Sequence, residues 1–102
     1  MDTYNGIGFM RYEKGNLLDK KFNAISNNTR REILMLLKEK PLNAGEIANH
    51  FTFSFASISH HLHTLEESGL VASKRNGNHK QYSLCAEAFE EIYLWLTNLI
   101  SS

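Results

Sequence analysis

The sequence predicts a mainly α domain of the α+β class, closed by a two-stranded β-hairpin and a last helix. Three observations predict it. Apolar residues recur at helical spacing in successive segments up to Gly69, separated by Asn, Pro and Gly punctuation. The periodicity then changes, and Asn76-Gly77-Asn78 sits between two short strand-like runs. The segment from about Ala86 to Ile100 is helical in pattern but apolar over most of its circumference.

Taken in order, residues 1–18 carry Gly6, Gly8 and Gly15 with scattered apolar residues, and are expected to form a loose or partly helical N-terminal extension. The remaining residues, 19–102, form one domain. Leu17, Leu18, Phe22 and Ile25 are spaced for a short helix that Ser26-Asn27-Asn28 breaks. Asn27 or Asn28 caps the next helix, with Thr29-Arg30-Arg31-Glu32 matching a capping box. Its apolar face is Ile33, Leu34, Leu36 and Leu37, and Pro41 stops it. A shorter helix is expected from Ala44 to His50, capped by Asn43, with Ile47 and Ala48 facing inward. After Phe51-Thr52-Phe53, a longer helix spans about 54–68, with Ile58, Leu62 and Leu65 as its buried stripe and Gly69 as its stop. Leu70 to Arg75 and His79 to Leu84 make the hairpin.

The chain has 102 residues, 42% of them hydrophobic, and a formal net charge of zero. That suits one small domain with a modest core, for which self-association adds stability. No apolar run approaches the roughly 20 residues that span a bilayer. Met1 to Met10 lack the basic and apolar regions of a secretory leader. Cys85 is the one cysteine, so no internal disulfide forms. These features lead to the expectation of a cytoplasmic protein. No Ser-His-Asp spacing, glycine-rich phosphate loop or paired carboxylates indicate an enzyme or a cofactor site.

Short helix, tight turn and longer helix make a helix-turn-helix, and the following hairpin makes it winged. In such units the start of the second helix enters the major groove. Ser57 and His60 suit base edges and Ala56 a thymine methyl, while Thr52 and Ser54 suit phosphate. Net charge gives no support for a nucleic-acid partner, but its distribution does. No carboxylate occurs between Glu67 and Glu87, whereas that stretch holds Lys74, Arg75, His79 and Lys80, with Asn78 at the turn. A basic wing over about 74–80 is therefore expected to meet phosphate, and Arg75 to reach the minor groove. The last helix, through Phe89, Ile92, Tyr93, Leu96, Leu99 and Ile100, needs cover on more than one side. A second copy of the chain supplies it.

Several stretches together resemble the ArsR/SmtB family of bacterial repressors. They are Phe22 through Leu34, Gly45-Glu46-Ile47-Ala48, Ser57-Ile58-Ser59-His60-His61-Leu62, and Leu65-Glu66-Glu67-Ser68-Gly69-Leu70-Val71. The Ser-His-His-Leu stretch is similar to an autorepressor branch of that family. The resemblance covers about residues 20–100. It implies a winged helix-turn-helix homodimer that represses transcription from an inverted-repeat operator on double-stranded DNA, with contacts from Ser54, Ser57, His60 and the wing. Asn27-Asn28 stands where the family usually has Asp-Pro. The positions of its metal-binding cysteines hold Asn43 and Gly45, and its C-terminal metal site needs histidines that are missing from Ala86 onward. The resemblance therefore does not extend to metal sensing, and the effector stays open.

Other features have two readings. His60, His61 and His63 share helix faces as metal ligands would, but no carboxylate or thiolate sits at matching spacing. They are read as imidazoles of a DNA-reading helix, with His61 packed near the buried stripe. Cys85 is read as a small packed residue rather than a redox switch. One of Phe53 and Phe55 is expected in the core. The alternatives to a repressor are a winged-helix regulator acting mainly through a protein or small-molecule effector, and a metal sensor with an atypical site.

Overall fold

The computed structural model describes residues 17–101. The expected N-terminal extension, 1–18, lies outside the described residues up to residue 16, and Leu17 and Leu18 already belong to a helix, α1, over residues 17–25. Helix α2 follows at Asn28–Glu39. Asn27 caps it in an extended conformation, and its side chain accepts from the Arg30 N–H at 3.0 Å. The capping box expected at Thr29–Glu32 does not form. Asn27 starts the helix early enough that Thr29 is already inside it. The reciprocal box occurs instead at Asn43, whose side chain accepts from Glu46 N–H at 2.8 Å while Glu46 accepts from Asn43 N–H at 2.9 Å.

Asn43 also ends a strand absent from the sequence reading, β1 (Leu42–Asn43). Helix α3 (Ala44–Ala48) is shorter than expected, because its end tightens into i→i−3 bonds from His50 to Ile47 and from Phe51 to Ala48. Helix α4 runs Phe55–Ser68 with Ser54 as its cap, and Gly69 closes it at φ 85. That left-handed conformation carries little penalty only for glycine. Strands β2 (Val71–Asn76) and β3 (His79–Leu84) form the hairpin, with Gly77 turning it at φ 67. Helix α5 spans Ala86–Ile100, as expected.

The sheet is antiparallel with order β1-β3-β2, so the hairpin is extended by one short strand pairing Leu42 with Tyr82. A two-residue strand leaves no periodicity to read. The core lies between the helices and the sheet root. Ile33 and Leu37 of α2, Ile47 of α3, Ile58, Leu62 and Leu65 of α4, and Val71 of β2 are all buried there. Each such side chain contributes about 1.5–3 kcal/mol relative to exposure. The core therefore fixes α3, α4 and the base of the hairpin relative to one another. Ala88 and Ile92 join it from the first half of α5.

A buried arginine ties α1 to this core. Arg30 donates from Nε to Ala24 O at 2.8 Å and from Nη2 to Asn23 O at 3.0 Å. A cation thus meets carbonyls at the C-terminal end of α1, where the helix dipole favours it. Lys21, also buried, reaches Glu91 of α5 at 3.3 Å.

Candidate nucleic-acid interface

Core burial of Ile58, Leu62 and Leu65 turns the other side of α4 outward. Ala56, Ser57, Ser59 and His60 are exposed, and Thr52 is exposed in the preceding turn. Ser54 is exposed as well, but its hydroxyl oxygen is engaged: it accepts from Ser57 N–H at 3.1 Å and donates to Ser57 Oγ at 3.3 Å. Its first task is to cap the helix, and phosphate would have to share that hydroxyl.

Neither Phe53 nor Phe55 is core, contrary to expectation; they are 49% and 57% exposed. Phe51 takes the place against the core, and Phe53 stacks on it with ring centroids 5.7 Å apart. Phe55, the first residue of α4, faces outward beside the wing.

Lys74, Arg75, Asn78, His79 and Lys80 are all exposed on the hairpin. Pairing register divides them. Arg75 is opposite Lys80, Ser73 opposite Tyr82, and Lys74 opposite Gln81. Directly paired residues share a face and alternate residues return to it. Arg75 and Lys80 therefore lie on the Ser73–Tyr82 face, and Lys74 on the other. Lys80 Nζ is 5.6 Å from the Tyr82 ring centroid, a cation–π distance. Between this hairpin and α4 lies an open groove of about 310 Å³, lined among others by Phe55, Ser59, Arg75, Asn78, His79 and Lys80. Phe55 and Ser59 of α4 and the cationic wing thus flank one concavity, which Asn43 and Gly45 at the α3 start also line.

His61 faces inward, toward Arg30. Its Nδ1 lies 3.2 Å from Arg30 Nη1. A guanidinium only donates, so Nδ1 accepts and the ring is neutral. Burial first, then the Arg30 charge and then His60 hold its pKa below the ordinary 6.5. His63 points elsewhere, toward Glu67 at 3.9 Å. Among the described residues no group of three His, Cys, Asp or Glu side chains is arranged to hold a metal ion. Cys85 is half-buried and packs against the core.

The apolar last helix divides along its length. Ile92 is buried in the protomer and Phe89 packs against its core, so these two do not belong to an exposed face as expected. The inward stripe of the first half of α5 includes them. Tyr93, Leu96, Leu99 and Ile100 are 65%, 46%, 64% and 84% exposed. Leu94 and Trp95 are exposed with them, and Trp95 meets Phe22 of α1 edge-on at 5.2 Å. No helix among the described residues is long and apolar enough to cross a membrane.

The chain is similar in sequence and fold to known regulatory proteins. Residues 27–73 match the family described as bacterial regulatory protein, arsR family. The transcriptional repressor SdpR of Bacillus subtilis is 40% identical over 84 residues, which span 82% of this chain and 93% of that protein. An arsenical resistance operon repressor of Staphylococcus xylosus is 38% identical over 68 residues, 67% of this chain and 65% of that one. An ArsR-like transcriptional regulator from Rhodococcus has a similar structure, with TM-score 0.77 at 28% identity, covering 85% of this chain and 82% of that chain. The homodimeric winged helix-turn-helix DNA-binding domain of a possible ArsR-family regulator from Mycobacterium bovis shares the fold, with TM-score 0.73 at 21% identity over 88% of this chain and 83% of that one.

Proposed function

This chain belongs to the arsR family of bacterial regulatory proteins, and we propose that it is a transcriptional repressor that binds an inverted-repeat DNA operator as a homodimer. The observation that carries the reading is the exposed side of the first turns of α4, with Ala56, Ser57 and His60, next to the cationic face of the hairpin. The open groove between the two elements is lined by Phe55 and Ser59 of α4 and by Arg75 and Lys80 of the wing. In this reading Ala56, Ser57 and His60 meet base edges in the major groove. Thr52 and Ser54 meet backbone phosphate beside the start of α4. Arg75 and Lys80 meet phosphate across the groove, with Asn78 and His79 at the turn and Lys74 on the outer face of the wing. A formal net charge of zero does not oppose this, because residues 68–86 contain no carboxylate of their own.

Homodimerisation rests on the exposed second half of α5. Tyr93, Leu96, Leu99 and Ile100, joined by Leu94, present apolar surface that the protomer leaves uncovered. A second copy buries it and carries a second recognition helix to the other half-site. The repressor acts on DNA and is placed in the cytoplasm, with no cofactor. Metal sensing is not part of the proposal, since Asn43 and Gly45 offer no thiolate and α5 has no histidine. Selection of bound duplexes from random DNA tests the reading: it should enrich a sequence with two-fold symmetry. Enrichment of no sequence would refute it.

A further inference from the structure

Glu66 stands where the recognition helix meets the wing. It sits in the second half of α4, with its side chain about one-third exposed (34%). One carboxylate oxygen accepts a hydrogen bond from Ser73 Oγ on β2. The other lies 3.9 Å from Lys80 Nζ on β3. Ser73 pairs with Tyr82, and Lys80 precedes Tyr82 by two residues on the same strand face. A single carboxylate therefore touches both strands of the hairpin on the face that lines the groove. Among the described residues no other side-chain hydrogen bond or ion pair joins α4 to the hairpin. Beyond Ser73 the wing has no buried residue of its own on β2, so apolar packing cannot fix its angle there.

We propose that Glu66 is a positioning residue for DNA binding, which holds the wing to the recognition helix through Ser73 and competes with phosphate for the Lys80 ammonium. The proposal rests on the reading of α4 and the hairpin as a DNA interface. Its two arms are physically separate. The Ser73 arm is a hydrogen bond, largely insensitive to salt, and it restricts the hairpin's motion relative to α4. The Lys80 arm is a charge interaction across a half-exposed gap. A DNA phosphate competes for the same ammonium, and the carboxylate itself repels the duplex.

Two measurements test it. In the free protein, Ser73→Ala and Glu66→Ala should each speed amide exchange over residues 74–80 by about threefold or more, with the core amides unchanged. Unchanged exchange there overturns the latch, whatever happens with DNA. In DNA titrations, Glu66→Gln keeps an acceptor for Ser73 but removes the charge. It should tighten binding at low salt and steepen the salt slope by up to roughly 0.9 per protomer, the value for one complete phosphate contact. Ser73→Ala should weaken binding and leave the slope in place. A purely structural Glu66 would lower melting temperature and affinity together without moving the slope, and that result overturns the role assigned to Lys80. If the wild-type protein binds no DNA, the interface reading fails and the Lys80 role falls with it, while the exchange result still judges the latch.

Discussion

Arg30 and His61 meet at 3.2 Å, guanidinium nitrogen to imidazole Nδ1, where α2 touches the recognition helix. Arg30 also holds the end of α1 through two carbonyls. One buried side chain thus links the first helix, the second helix and the helix that faces DNA.

A pH dependence follows from this pair. Burial and the Arg30 charge lower the folded-state pKa of His61 below 6.5, its unfolded value. The folded state therefore resists protonation more than the unfolded chain does. The stability from neutral His61 is fully present above pH 6.5 and is lost as pH falls from there through the folded pKa. His61→Gln retains an acceptor without the titration. The difference in urea midpoint between wild type and His61→Gln should shrink, or move in favour of the variant, as pH falls below 6.5. A pH-independent difference would show that the pair does not titrate in this way.

Removing Arg30 should be costly. Arg30→Met leaves the Ala24 and Asn23 carbonyls and His61 Nδ1 without their donor. Hydrogen bonds to charged groups contribute about 1.5–3 kcal/mol each, so a loss of about 3 kcal/mol is expected after partial rehydration. Equilibrium unfolding in urea measures it. A loss below about 0.5 kcal/mol, typical of plain surface changes, would mean that the α1 end does not depend on this side chain.

Affinity and specificity should separate between the hairpin and α4. Arg75→Ala should weaken binding to every sequence and flatten the salt slope by roughly 0.9 per protomer. His60→Ala should cost about 1–3 kcal/mol of base discrimination and leave the slope nearly unchanged. Titrations against specific and random duplexes at several salt concentrations distinguish them. Equal loss on both duplexes for His60→Ala would remove it from base readout.

Two substitutions on one helix should have opposite consequences. Leu96 is 46% exposed whereas Ile92 is 8% exposed. Leu96→Glu should yield a folded monomer that binds DNA poorly, because both half-sites must be engaged together. Ile92→Ala should remain a dimer but lose about 2–4 kcal/mol of stability through the cavity it leaves. Sedimentation with thermal melts reads both, and a Leu96→Glu dimer would displace the proposed interface.

The parts of the fold that were legible in the sequence are those with local signals. Helices α2, α4 and α5 announced themselves by periodicity, Pro41 and Gly69 by their backbone preferences, and the hairpin by Gly77. The exposed side of α4 was legible too, since its buried stripe leaves Ala56, Ser57 and His60 elsewhere. Features set by tertiary contact were not. β1 is two residues long and exists because Tyr82 and Gln81 offer it a partner. Thr29 and Asn43 head equally plausible capping boxes, and only the actual helix starts decide between them. Ile92 and Leu96 are equivalent in hydropathy, and one faces the core because α5 leaves the protomer partway along its length. Glu66 read as one more acidic residue on a helix, because its partners Ser73 and Lys80 are brought to it only by the hairpin.

The most direct measurement is a fluorescence-anisotropy titration at physiological salt, using the duplex enriched by selection and a scrambled duplex of the same composition. Binding of two protomers per enriched duplex, at least about a thousandfold tighter than to the scrambled one, is expected of a dimeric sequence-specific regulator. Equal affinity for the two duplexes, or saturation by a single protomer, would contradict it.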